Sequence, residues 1–140
     1  MVPLLYPWIL AKVLAVHVSQ TFTISSCSTR NLPLVLNAAD RVLGSFQIFP
    51  TYGYGDKELK FRVLDSTNTS QNSQPIILDL GTVVNGASFD FTASRSGNHV
   101  LVFDNECGSS ASNSQKEIRL TYEITKPAVT FSKPNAAPVT

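Results

Sequence analysis

Ten residues near the C-terminal end constrain this chain most. From Lys116 to Thr125, Ile118, Leu120, Tyr122 and Ile124 alternate with Glu117, Arg119, Thr121 and Glu123. On a helix the two sets would fall on every side, whereas in a strand successive side chains point to opposite faces. The segment is therefore a strand with one face inward. Ala87–Ala93 behaves alike, with Phe89 and Phe91 set against Ser88, Asp90 and Thr92, and Glu58–Asp65 sets Leu59, Phe61 and Val63 against Lys60 and Arg62. Weaker strands are expected at Phe22–Ser25, Leu32–Leu36, Val42–Phe49 and Ile76–Leu80. His99–Asp104, apolar almost throughout, reads as a central strand covered on both faces.

Eight short strands separated by Gly, Pro, Asn and Ser clusters predict an antiparallel β-sandwich of jelly-roll type over residues 21–125. If successive strands reverse direction, the first, third, fifth and seventh connections share one end of the sandwich. That grouping brings together Cys27, Cys107 and the loop Pro50-Thr51-Tyr52-Gly53-Tyr54-Gly55-Asp56. Loops gathered at one end of a rigid sandwich are a usual place for recognition.

The ends differ from this middle. Residues 1–20 form a hydrophobic leader whose core, Val2 to Val18, is interrupted by Pro3, Pro7, Lys12 and His17. Two readings are open: an export signal or membrane anchor, or an amphipathic helix from Pro7 onward that docks on the domain. Residues 126–140 carry Pro127, Pro134 and Pro138 among small residues, which prevents a helix and predicts an extended tail or linker.

Composition bounds the function. The 11 Lys and Arg nearly balance the 10 Asp and Glu, giving a net charge of +1. Nucleic acid requires a basic face to neutralise phosphates, so it is not an expected partner. With 43% hydrophobic residues the chain is not a disordered one.

Phe89 to Ile124 (FDFTASRSGNHVLVFDNECGSSASNSQKEIRLTYEI) resembles the end of a GOLD domain, the β-sandwich of the emp24/gp25L/p24 family. The likeness rests on an F-x-F-x-A strand, Ser96-Gly97, an apolar strand ending Phe103-Asp104-Asn105, a Ser-rich loop and the alternating IRLTYEI. LNAADRVLGSFQI and ELKFRVLDSTN resemble earlier strands of that family. The resemblance implies a luminal or extracellular domain that binds other proteins without catalysing a reaction. A stand-alone, exported domain of prokaryotic type fits it best.

Reactive constellations are sparse. Of the two histidines, His17 lies in the leader and His99 stands alone at a strand start, so the nucleophile–base pair of covalent catalysis is missing and no enzyme is expected. Two Cys and one His give no recognisable zinc site. Gly53 and Gly55 mark a turn, since no Lys-Ser/Thr or helix follows. Asp104-Asn105-Glu106 clusters hard oxygen ligands but lacks a D-x-D-x-D-G loop. Neither metal nor cofactor is expected.

Two binding and covalent candidates remain. Cys27 and Cys107 are either two thiols or, as their common end and an export segment favour, one disulfide. Tyr52 and Tyr54, set between glycines, offer flat apolar rings with hydroxyls at low entropic cost, a surface suited to a protein or a glycan. They are the expected ligand-binding residues, with a protein as the first partner and a carbohydrate as the alternative. A self-assembling envelope component is the third reading, and membrane association would run through residues 2–18. Asn68-Thr69-Ser70 is a formal N-glycosylation sequon.

Overall fold

The structure, a computed structural model of the 140-residue chain, describes residues 10–12, 14–51, 56–67, 74–107, 114–127 and 129–131. Its strands are β1 (Leu10–Lys12), β2 (Ala15–Ile24), β3 (Ser28–Leu36), β4 (Arg41–Pro50), β5 (Glu58–Asp65), β6 (Ile76–Val84), β7 (Gly86–Thr92), β8 (Gly97–Asn105), β9 (Lys116–Thr125) and β10 (Val129–Phe131). Eight of them form two four-stranded antiparallel sheets, ordered β2-β9-β4-β7 and β3-β8-β5-β6. The pairings nest: β2 with β9, β3 with β8, β4 with β7 and β5 with β6. Such nesting arises when one long antiparallel hairpin rolls up and alternate strand pairs fall into opposite sheets, the arrangement of a jelly roll. Contacts β4–β9 and β5–β8 complete the sheets. β8 lies between β3 and β5, the central position its apolar sequence predicts.

The N-terminal expectation needs correction. Residues 10–12 and 15–20 are strand rather than helix, and residues 1–9 and 13 lie outside the described residues. Residues 15–24 alternate, with Val16, Val18, Phe22 and Ile24 at even positions and His17, Ser19, Thr21 and Thr23 at odd ones. All ten have cross-strand partners, from Ala15↔Thr125 to Ile24↔Lys116. Ten ladder positions against β9 outweigh whatever helical preference the short apolar run carries. The first strand of the sandwich thus begins at Ala15, inside the expected leader. Beyond it, β1 and β10 continue the ribbon as a separate two-stranded ladder. Among the described residues no helix is long and apolar enough to cross a membrane.

Between the sheets lies an aromatic core. The Phe61 ring sits 5.0 Å from each of Phe46, Phe89 and Phe103, and Phe103 meets Phe22 edge-on at 5.2 Å. Phe61 and Phe103 are wholly buried. Phe46 and Phe89 come from one sheet and Phe61 and Phe103 from the other, so the rings bridge the layers. Burying such a ring stabilises by about 1.5–3 kcal/mol, with a further increment from favourable ring geometry. Gly44 makes room for them: a Cβ there would lie 2.4 Å from the Phe89 ring and 2.8 Å from Cβ of Tyr122.

Truncation at the centre of this cluster removes its largest shared contact. Phe61→Ala is expected to lower stability by about 3–5 kcal/mol, read as a reduced denaturation midpoint in urea.

Candidate functional site

One end of the sandwich is tied together by covalent, ionic and hydrogen bonds. Cys27, in the β2–β3 turn, and Cys107, just after β8, form a disulfide with a Cα–Cα distance of 4.6 Å. The turn itself is closed by the Ser28 hydroxyl and N–H, both donating to the Ser25 carbonyl. Two residues before Cys107, the buried Asn105 donates from Nδ2 to the carbonyls of Ser25 (3.0 Å) and Ser114 (2.9 Å). Its Oδ1 accepts from Nζ of Lys116, the first residue of β9. The same Nζ lies 2.6 Å from Oδ1 of Asp56, which precedes β5. Lys116 is 1% exposed and Asp56 about one-fifth exposed, so this is a charge pair drawn largely out of water. A buried pair is held by its hydrogen bonds as much as by attraction, because desolvation offsets much of the Coulomb gain.

These contacts fix the base of the tyrosine loop. Thr51 donates its hydroxyl (2.7 Å) and N–H (3.3 Å) to the Gln115 carbonyl at the start of the loop, and Asp56 is held by Lys116 at its end. The β6–β7 turn joins the same end: the Asn85 carbonyl accepts from Ile48, and the Asn85 N–H donates to Lys57. Asn85 has φ 70° and Gly86 φ 143°, and a Cβ at Gly86 would sit 2.1 Å from the Phe46 carbonyl oxygen. A glycine is needed there because the turn passes so close to β4. All four connections β2–β3, β4–β5, β6–β7 and β8–β9 therefore meet at the disulfide end, as strand reversal predicts.

Cys27 and Cys107 are thus brought together. Tyr52 and Tyr54, with Gly53 and Gly55, lie outside the described residues, as does the sequon Asn68-Thr69-Ser70. The oxygen-bearing trio Asp104-Asn105-Glu106 is dispersed: Asp104 accepts from Thr29 at 3.1 Å, Asn105 joins Lys116, and Glu106 pairs with Lys60 at 2.6 Å. Hydrogen bonding to Glu106 raises the Lys60 ammonium above its ordinary range. Among the described residues no three His, Cys, Asp or Glu side chains converge as metal ligands.

Lys116 and Asp56 are the site residues that sequence reasoning missed, and the signal for Lys116 was present. It shares the parity of Ile118 and Leu120 in the alternation of β9 and must therefore point inward. Asp65 follows the same rule after Leu59, Phe61 and Val63.

At the opposite end, the buried residues are also polar. Asp40, fully buried, accepts from the Asn37 N–H at 2.8 Å and from Lys126 Nζ at 2.6 Å, clamping the chain after β9 to the β3–β4 turn. His99 is fully buried, with Nδ1 3.1 Å from the Gly97 carbonyl. Burial by itself pushes the Asp65 carboxyl up, but the Thr67 hydroxyl and N–H (2.9 Å) and Arg95 Nε (2.7 Å) outweigh it. They hold its pKa at about 2.

No family model matches the chain, and no curated protein sequence matches it. Solved structures are similar to it in part. PliG of Aeromonas hydrophila, a periplasmic lysozyme inhibitor of g-type lysozyme, superposes with a TM-score of 0.50 at 16% identity, over 77% of this chain and 85% of that one. A capsid chain of Helicobacter pylori bacteriophage KHP30 gives 0.49 at 13% identity, over 89% and 100%. The Yersinia pseudotuberculosis-derived mitogen gives 0.47 at 9% identity, over 89% and 92%. The likeness to PliG extends to the fold alone: an all-β sandwich.

Two outcomes follow. The disulfide closes a separation of 80 residues, so Cys27→Ser/Cys107→Ser is expected to lower unfolding free energy by about 3–5 kcal/mol in the chain-entropy estimate, measured by urea titration. The Asp65 carboxylate, with a folded pKa depressed to about 2, contributes stability in full above its unfolded pKa near 4 and loses it as pH falls towards 2. Because Arg95 is half-exposed, screening reduces that contribution to on the order of 1 kcal/mol. Between pH 4.5 and 2, wild type should lose this increment relative to Asp65→Asn in parallel denaturation curves.

Proposed function

We propose that this protein is a non-catalytic interaction module of an exported compartment, with the disulfide end as its contact surface and a protein as its partner. The observation that carries the reading is the fixing of both ends of the Tyr52–Tyr54 loop, at Thr51 on Gln115 and at Asp56 on Lys116, beside the Cys27–Cys107 bridge. A connection whose two ends are fixed loses less freedom when a partner orders it, which favours affinity. The resemblance of residues 89–124 to the closing strands of the GOLD domain supports a protein-binding role. The disulfide supports an oxidising location such as the periplasm or the extracellular space. A non-catalytic role is supported by the full burial of His99, which keeps the imidazole from any substrate.

A second reading, carbohydrate binding, has its own observation. On the outer face of the β2-β9-β4-β7 sheet, Ser19, Thr121, Ser45 and Ser88 stand in register across all four strands. Charges on that face pair among themselves, Arg41 with Asp90 at 2.8 Å and Arg119 with Glu117 at 2.7 Å. Such a face favours a neutral, hydroxyl-rich ligand.

The test is capture from the native envelope extract on immobilised residues 15–140, followed by rebinding of the purified captured protein. Wild type should retain a defined protein, and Tyr52→Ala/Tyr54→Ala, matched for thermal stability, should weaken rebinding at least tenfold. Equal rebinding by both would remove the tyrosine loop as the contact. Retention of a neutral polysaccharide that Thr121→Val/Ser45→Ala abolishes would favour the outer face.

A further inference from the structure

The polar group beneath the disulfide contains the parts of a chemical reaction. Lys116 and Asn105 are each 1% exposed, and the Lys116 Nζ donates to Oδ1 of Asn105, the oxygen bonded to the amide carbon Cγ. Asp56 Oδ1 stands 2.6 Å from the same Nζ. On the other side of the amide, Nδ2 is held by the carbonyls of Ser25 and Ser114, two acceptors that would stabilise positive charge gathering on a departing nitrogen. An amine nucleophile, a carboxamide electrophile, a carboxylate to carry protons and acceptors for the leaving group are thus held together, with the amine and the amide buried and the carboxylate about one-fifth exposed.

We propose that Lys116 and Asn105 join in an intramolecular isopeptide bond, formed autocatalytically with Asp56 as the proton carrier. Asp56 accepts a proton from the Lys116 ammonium, and the freed Nζ lone pair attacks Cγ of Asn105, forming the new C–N bond. A second proton leaves Nζ as the tetrahedral centre collapses. Both protons pass by way of Asp56 to Nδ2, the Cγ–Nδ2 bond breaks, and the nitrogen departs as ammonium. The product is a neutral secondary amide, and no oxidant, metal or cofactor takes part. Fixed proximity of amine and amide supplies the acceleration that such an attack lacks in free solution. Asp56 touches the attacking nitrogen and acts as general base and then acid.

Asn105 ends β8 and Lys116 begins β9, so the bond would close residues 105–116 into a ring beside the Cys27–Cys107 bridge. It is independent of what the disulfide end binds.

Trypsin makes the test direct. With Lys116 free, digestion after reduction and alkylation releases residues 96–116, ending at Lys116. With the bond formed, Lys116 resists cleavage and the peptide is residues 96–119, about 17 Da lighter than its linear sequence and lacking backbone fragment ions between 105 and 116. The full chain, purified and aged at neutral pH, is expected to give the cyclic peptide. Asp56→Ala is expected to give mainly the linear one, and Lys116→Arg, which keeps the charge but not the amine, none of the cyclic form. A wild-type digest containing only the linear 96–116 peptide, with an unmodified Asn105, overturns the proposal whether or not the variants fold.

Discussion

The contact that the rest of this molecule depends on is the meeting of Phe46 and Phe89 from one sheet with Phe61 and Phe103 from the other. Each sheet has one face apolar enough to require cover, and neither is wide enough to curl around a core of its own. Four rings spanning the gap set the sheet separation and give each inward position on β4, β5, β7 and β8 a partner of fixed size. Gly44 shows how tightly that size is set, since a single methyl would strike Phe89. With the sheets held face to face, nested pairing determines which connections share an end. The gathering of Cys27, Cys107, Asp56 and Lys116 at one end is a consequence of the core.

At the two ends of the sandwich the same geometry creates a different problem. Inward positions at strand ends are buried by the turns that fold over them, yet those turns bring unpaired backbone groups with them. The chain fills these positions with polar residues: Asn105 and Lys116 at one end, Asp40, Asp65 and His99 at the other. Asn105, Lys116, Asp40 and Asp65 each bond to a connection. Asn105 reaches the carbonyls of Ser25 and Ser114, and Asp40 the N–H of Asn37 and the Lys126 ammonium. The loops are therefore fixed through the core.

Period-two alternation made the sandwich legible in the sequence, because it records which face of a strand is buried and little else. It located eight strands and, through reversal of direction, placed Cys27 and Cys107 at one end. It missed the first part of β2, residues 15–20, because Val2 to Val18 is apolar before the alternation starts, and a hydrophobic run hides the parity of Val16 and Val18. The buried polar residues were hidden for another reason. Lys116 and Asp65 occupy inward positions, but at strand ends a charged residue ordinarily marks the passage to solvent, so chemistry contradicted parity. Asp56 gave no signal, since its role comes from a partner 60 positions away. The tyrosines stand out by composition and lie outside the described residues.

Lys116 is a poor choice if stability alone is at stake. A methionine would fill the same space without desolvating a charge, and replacing buried ion pairs by apolar side chains is often neutral or stabilising. What a methionine could not do is hold the Asn105 amide and Asp56 together, and with them the β8–β9 and β4–β5 connections. An ion pair does this at a continuing cost in desolvation. An amide between Lys116 and Asn105 would remove the buried charge and keep the tie, leaving Asp56, about one-fifth exposed, its access to water. The opposite end has no such recourse: its ties, Lys126 with Asp40 and Arg95 with Asp65, each join a buried carboxylate to a cation still open to solvent. Carboxylate ties hold the disulfide end too, Lys116 with Asp56 and Lys60 with Glu106, and there the disulfide adds a covalent one. The asymmetry among the described residues is one of covalent reinforcement: the disulfide end has a tie that does not depend on charge, and the opposite end relies on its ion pairs and hydrogen bonds.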